Sequence, residues 1–325
     1  MLLIANHEGR SGTVTAANHL QNNVNGLRSI IEGVKIVEAN KDIHTVGLAS
    51  WPNILGELQL DASVMDGNTR RSGAVGAIRG FLHPVEIAYR VMTDIAHEIL
   101  VGYGAERFAS EIGAIKNINE TDISIKAWKL HLDKVLTPEQ KKAFPDLRLL
   151  DIKSDAIDPE KILKDKSLWD GITDDTFAKP FDTTVYLSID HENRISTATS
   201  TSGWAWKYPG RLGDSPIIGA GSYADSRYGA CACTHTGEMT IRAGTARSVV
   251  LYLKMGLSID DAVYEAAKDL ADLKTGYLDE VTIHALDKNG NFKVVGLNSS
   301  EKIQYVVWST ELQAPEIREA ELLNI

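Results

Sequence analysis

The chain has 325 residues, 43% of them hydrophobic, and its 44 acidic against 34 basic side chains leave a net charge of −10. That apolar content suffices for one large layered domain or two smaller ones, while the negative field repels nucleic-acid phosphates and anionic membranes. No run approaches the ~20 apolar residues of a membrane span, and Met1–Ala5 is too short for a signal-peptide core, so a soluble, cytoplasmic protein is expected.

In chain order, helical spacing of apolar residues predicts a helix from Thr15 to Val37 and another from Pro84, a first-turn proline, to Ile95. Residues 121–180 are dense in Lys, Asp and Pro, with Trp128, Leu130, Leu132 and Val135 scattered among them. They read as an exposed helix and a flexible segment. A strand of near-alternating character follows from Thr184 to Ile189, then the turn Asp190-His191-Glu192-Asn193 and a strand from Ile195 to Thr199. The two cysteines, Cys231 and Cys233, share one face of a probable strand and read as small buried hydrophobes. A largely apolar helix is predicted from Met239 to Met255, and Ser258, with Asp261 in the capping-box position, starts another that reaches Leu273. The turn Asp287–Gly290 joins strands Val281–Leu286 and Asn291–Val295, and a last strand covers Lys302–Val307. Neither a metal nor a cofactor is predicted. His97-Glu98 lacks a second histidine one turn on, and Gly219-Ala220-Gly221 lacks the third glycine and the following helix of a dinucleotide fingerprint.

The chemistry concentrates at Phe181-Asp182-Thr183-Thr184. An Asp-Thr pair at a strand start is an ordinary place for a hydroxyl. If the bond between Asp182 and Thr183 is cut, however, Thr183 carries both a hydroxyl nucleophile and its own α-amine. Such an amine titrates near ~7.7 to 8.0, against ~10.4 for lysine, and can take the hydroxyl proton at neutral pH without retuning.

The order of motifs downstream is specific. It comprises Thr201-Ser202-Gly203, Pro209-Gly210-Arg211-Leu212-Gly213-Asp214-Ser215-Pro216, Gly219–Asp225 and Gly229-Ala230-Cys231-Ala232-Cys233-Thr234-His235-Thr236-Gly237-Glu238. Upstream stand Gly33–Glu38, Leu60-Asp61-Ala62-Ser63-Val64-Met65-Asp66-Gly67 and Leu100–Glu106. The series resembles glycosylasparaginase and its N-terminal-nucleophile asparaginase relatives over most of residues 1–120 and 181–310. The resemblance implies an α+β fold, a four-layer αββα sandwich, in one composite domain. It further implies self-cleavage into an N-terminal subunit, 1–182, and a C-terminal subunit, 183–325, with 121–180 supplying slack and the cleaved units pairing as a homodimer. The implied activity is hydrolysis of the side-chain amide of asparagine or an N-substituted asparagine. An isoaspartyl peptidase/L-asparaginase, or an uncleaved binding protein on the same fold, stand as alternatives.

By the same resemblance, Thr183 is nucleophile and base, and Thr201 bonds its hydroxyl. Thr234 Oγ and the His235 backbone N–H form the oxyanion hole, and Arg211 and Asp214 bind the substrate's α-carboxylate and α-amine. Three positions depart from the family pattern and bear on specificity: Phe181 replaces a histidine, His235 a glycine and Asn6 a tryptophan. His235 is expected to narrow the leaving-group pocket. Trp204 and Trp206 either wall that pocket, or stack on a sugar ring, or pack at a subunit interface.

Overall fold

The computed structural model describes residues 1–117, 121–152, 158, 161–162 and 182–323. Strand β1 (Leu2–Asn6) is followed by helices α1 (Arg10–Gln21) and α2 (Gly26–Glu38). The single helix expected over Thr15–Val37 is thus two. Asn23 turns the chain at φ 57°, and the Asn25 side chain accepts from Leu27 N (3.0 Å) and Arg28 N (3.3 Å), starting α2 afresh. Next come β2 (Leu60–Asp66), β3 (Arg71–Ile78), α3 (Pro84–Asp94), β4 (Ile99–Val101), α4 (Gly102–Glu111), α5 (Asp122–Val135) and α6 (Pro138–Ala143). After the site segment lie β5 (Thr184–Ile189), β6 (Ile195–Thr201), β7 (Ser222–Asp225) and β8 (Gly229–His235). The rest is α7 (Gly237–Ala243), α8 (Thr245–Lys254), α9 (Ile259–Ala271), β9 (Val281–Asp287), β10 (Phe292–Leu297), β11 (Gln304–Ser309), β12 (Glu316–Glu319) and β13 (Glu321–Leu323). Here too one expected helix is two, because Gly244 adopts a left-handed φ of 60° between α7 and α8, a conformation open to glycine at little cost. Ser258 caps α9 as expected, accepting from Asp261 N at 3.2 Å.

The strands form an eight-stranded sheet in the order β12-β11-β1-β5-β6-β2-β3-β4 and a five-stranded sheet in the order β13-β10-β9-β8-β7. Strand alternation assigns the layers. On β5, Val185 and Leu187 face the second sheet, meeting Ala230, Ala232, Leu286 and Val294, whereas Tyr186 faces Ile30, Ile31 and Val34 on the helical side. Beneath the five-stranded sheet, Cys231, Cys233 and Ile283 pack on Val249, Val250, Val263 and Leu270. The result is the expected αββα sandwich. Each fully buried Val, Leu or Ile contributes ~1.5–3 kcal/mol of apolar burial, which makes the central strands rigid supports.

The described part of 121–180 differs from an exposed helix. Ala127 and Leu132 of α5 are buried with Trp51, Ile54 and Trp206 in a fourth cluster, and Trp128 Nε1 donates to Ile54 O at 3.0 Å. Helical spacing had been obscured by the surrounding lysines. The remainder, including Phe181 and all but three residues of 153–180, lies outside the described residues.

Helices α1 and α2 cross where Gly12 meets Gly33. A Cβ on Gly12 would stand 2.0 Å from Gly33 O and 2.6 Å from the Tyr186 hydroxyl oxygen. Gly12→Ala is therefore expected to destabilise the fold by ~3 kcal/mol or more in urea unfolding, whereas Gly104→Ala, on open helix surface, should be neutral or stabilising by ~0.5–1 kcal/mol. Equal midpoints for the two variants would refute the close crossing.

Candidate active site

Thr183 stands at the head of β5, which lies between β1 and β6 in the middle of the larger sheet. Its place is set from both neighbours. On the β1 side, Asn6 donates its side-chain amide to Thr183 O, and its Oδ1 accepts from Val185 N at 3.0 Å. Asn6, expected on the leaving-group side, therefore clamps the strand backbone. On the β6 side, Thr201 Oγ1 donates to Asp182 O at 2.9 Å and accepts from Gly203 N at 2.9 Å. The Thr201 hydroxyl, expected on the nucleophile, is directed instead at the carbonyl of the Asp182–Thr183 peptide, because the continuous chain presents that oxygen first. The Thr183 N–H donates to Asp182 Oδ1 at 2.7 Å, and Thr183 Oγ1 lies 3.5 Å from Ser215 Oγ.

Thr234 and His235 end β8 in the second sheet. The sandwich brings them beside the head of β5, with His235 Nε2 3.8 Å from Asp182 Oδ2. Arg211 and Asp214 come from the long connection between β6 and β7. A cleft lined by Asp182, Thr183, Thr201, Gly203, Trp204, Arg211, Gly213, Asp214, Ser215 and His235 gathers these positions except Thr234, which is buried beside it. Trp204 stacks under the Arg211 guanidinium, 4.0 Å from ring centroid to Cζ. Trp206 instead turns into the fourth cluster, 5.3 Å from His131 ring to ring.

Arg211 does not present an empty fork. Its Nε and Nη2 donate to Glu238 at 2.8–3.0 Å, while Nη1 lies beside Gly203 and Gly213, where no side chain intervenes. Asp214 is buried, and Thr240 Oγ1 donates to its Oδ2 at 2.7 Å. Burial pushes the Asp214 carboxyl up to about 6, against the opposing pull of the Thr240 hydroxyl and the Arg211 charge. His284, one strand away on β9, is pushed down to about 4 by burial and is neutral at pH 7.

Ser215, Glu238, Glu280 and His284 were missed by sequence reasoning. Ser215 and Glu238 sit inside the quoted motifs, adjacent to Asp214 and one residue past Gly237, so motif position was a usable signal for both. Glu280 and His284 had none, since only the pairing of β8 with β9 brings them near His235.

Two stacked sheets between helical layers, with a threonine heading a central strand, define the architecture of an N-terminal-nucleophile hydrolase. The asparaginase family profile matches residues 10–314, and the chain belongs to that family. It is 32% identical over 232 residues to a mouse isoaspartyl peptidase/L-asparaginase, covering 71% of this chain and 61% of that protein. It is also 32% identical over 272 residues to a putative N(4)-(beta-N-acetylglucosaminyl)-L-asparaginase of Drosophila grimshawi, covering 78% of this chain and 65% of the relative. A plant-type L-asparaginase of Pyrococcus horikoshii is 30% identical over 300 residues, covering 89% and 85%. The chain thus spans less than two thirds of the length of the mouse and fly relatives.

The Asp214 shift has a stability consequence independent of any catalytic role. A carboxyl whose pKa rises from 3.8 unfolded to about 6 folded favours the fold below pH ~4, and that contribution is lost as pH rises through 6. Asp214→Asn is therefore expected to gain ~3 kcal/mol relative to the unsubstituted protein between pH 4 and pH 8. Denaturant unfolding at both pH values checks this, and a pH-independent difference would contradict it.

Proposed function

We propose that the protein is a self-processing amidohydrolase that hydrolyses the side-chain amide of asparagine or an N-substituted asparagine through Thr183. The observation that carries this reading is the contact between Thr201 Oγ1 and the Asp182 carbonyl. A hydrogen bond to that oxygen polarises the peptide carbon that Thr183 Oγ must attack. In the N-to-O shift the Thr183 oxygen bonds to this carbon, the C–N bond breaks, and the nitrogen takes the proton to become a free α-amine. Water then hydrolyses the ester, leaving the Asp182 carboxylate and an N-terminal Thr183. That terminus repeats the chemistry on substrate. Thr183 Oγ attacks the side-chain amide carbon, the α-amine takes the hydroxyl proton and passes it to the leaving amine, and water releases the aspartyl product. Thr234 Oγ–H and the His235 N–H are the proposed oxyanion donors, each worth ~2.7–4 kcal/mol in such a site.

Nη1 of Arg211 and the carboxylate of Asp214 are the proposed contacts for the substrate's α-carboxylate and α-ammonium. The imidazole of His235 and the ring of Trp204, both lining the cleft, support a small leaving group over a sugar-bearing one.

Purified protein is expected to run on a denaturing gel as two pieces, one ending at Asp182 and one beginning at Thr183, with Thr183→Ala remaining whole. Thr201→Ala should slow the cut by an order of magnitude or more. An active but uncut chain would overturn the mechanism, and an uncut, inactive one would favour a binding protein.

Amidating the α-carboxylate or acetylating the α-amine of asparagine should each cost most of kcat/KM. For the parent substrate kcat/KM is expected to fall as pH drops below ~8, as the Thr183 α-amine takes up a proton, and more steeply below about 6, where Asp214 does so too. Blocked substrates turning over like the parent would remove Arg211 and Asp214 from recognition.

A further inference from the structure

A guanidinium is flat, and its grip on a carboxylate depends on how that plane is held. Glu238 fixes one edge of the Arg211 plane, accepting from Nε at 3.0 Å and from Nη2 at 2.9 and 2.8 Å. An edge contact stops the group from turning within its plane but lets the plane hinge about that edge. Hinging displaces the opposite nitrogen, Nη1, the most. Nη1 makes no hydrogen bond among the described residues and reaches into a slot bare of side chains, where a Cβ on Gly203 would stand 3.0 Å from it and one on Gly213 3.3 Å. The same Gly203 point lies 3.3 Å from Lys207 Nζ, an ammonium, which offers Nη1 no acceptor on that side. Neither the Glu238 pair nor this slot sets the tilt of the plane.

Trp204 supplies the missing contact. Its ring lies under the guanidinium, 4.0 Å from centroid to Arg211 Cζ, and a cation over an indole face is attracted by the negative face of the ring. The Arg211 side chain is only 15% exposed, so solvent screens that attraction incompletely. The indole is itself held. Tyr277 meets it edge to face, with centroids 5.2 Å apart and planes at 76°, and the Tyr277 hydroxyl donates to Asp279 Oδ2 at 2.6 Å.

We infer that Trp204 is a positioning residue whose indole face holds Arg211 at the tilt that presents Nη1 to the substrate's α-carboxylate. The inference rests on the amidohydrolase reading above and adds a function for the indole that is distinct from walling the leaving-group side of the cleft.

The test is a set of Trp204 variants assayed on L-asparagine after cleavage is verified by denaturing gel. Trp204→Leu keeps apolar bulk and removes the aromatic face. It is expected to raise KM ~3- to 30-fold with kcat within about twofold, the pattern of a lost binding contact. Trp204→Phe and Trp204→Tyr restore a face and should bring KM to within ~3-fold of the unsubstituted protein. A purely structural role would not separate leucine from phenylalanine. A second readout leaves size and packing nearly unchanged: mono-, di- and trifluorotryptophan placed at position 204 alone withdraw negative charge from the ring face, so KM should rise stepwise with the number of fluorines. If the unsubstituted protein hydrolyses no asparagine-type amide, the underlying reading falls and this inference with it. If it does, three results would each overturn the positioning role alone: an unchanged KM in Trp204→Leu, equal KM values for the leucine and phenylalanine variants, or a KM that stays flat across the fluorinated series. A change confined to N-substituted asparagines would likewise overturn it and place the indole against the leaving group.

Discussion

The whole site depends on β5 lying between β1 and β6 with both faces buried. A strand covered on both faces and hydrogen-bonded on both edges has little freedom to slip, because a one-residue shift would turn Val185 and Leu187 toward the helices and Tyr186 toward the second sheet. The head of that strand is therefore a fixed point. Asn6 extends the β1 contact past the end of the ladder, Thr201 holds the preceding carbonyl from β6, and Thr183 is left between them. A threonine on a surface loop would share the chemistry of Thr183 but not this placement.

Around the fixed point, the structure carries several buried or half-buried charges that are matched in pairs. Arg211 is neutralised by Glu238 and shielded by Trp204, and the neighbouring Lys207 is buried with Asp61 3.7 Å from its ammonium. Burial depresses the Lys207 pKa while Asp61 opposes the shift. Such pairs add little net stability, but breaking one strands its partner. They tie the connection between β6 and β7, from which Asp214 and Ser215 reach the cleft, to the body of the fold.

Much of this was readable in advance from particular residues. The strands Thr184–Ile189 and Val281–Leu286 rest on local signals, period-two alternation and turn residues, whereas the Asp182-Thr183, Thr201, Arg211, Asp214 and Thr234 positions rest on the resemblance that the motif series carries. The errors were also local in origin. Two helices were read for four because Asn23 and Gly244 turn the chain without interrupting the apolar spacing on either side. The α5 helix was read as exposed because its buried residues pack on Trp51 and Trp206, which lie far away in sequence to either side.

By itself the sequence determined which side chains the site could use, since hydroxyl, guanidinium and carboxylate are properties of residue type, and its periodicity determined a mixture of helices and strands. Only the tertiary structure decided where those groups point. The Thr201 hydroxyl meets the Asp182 carbonyl, Asn6 meets the backbone, Arg211 meets Glu238, and Glu280 meets His235 because the stacking of two sheets and the pairing of β8 with β9 bring them together. Direction of this kind comes from contacts between residues far apart in the chain, and no local pattern of residues encodes them.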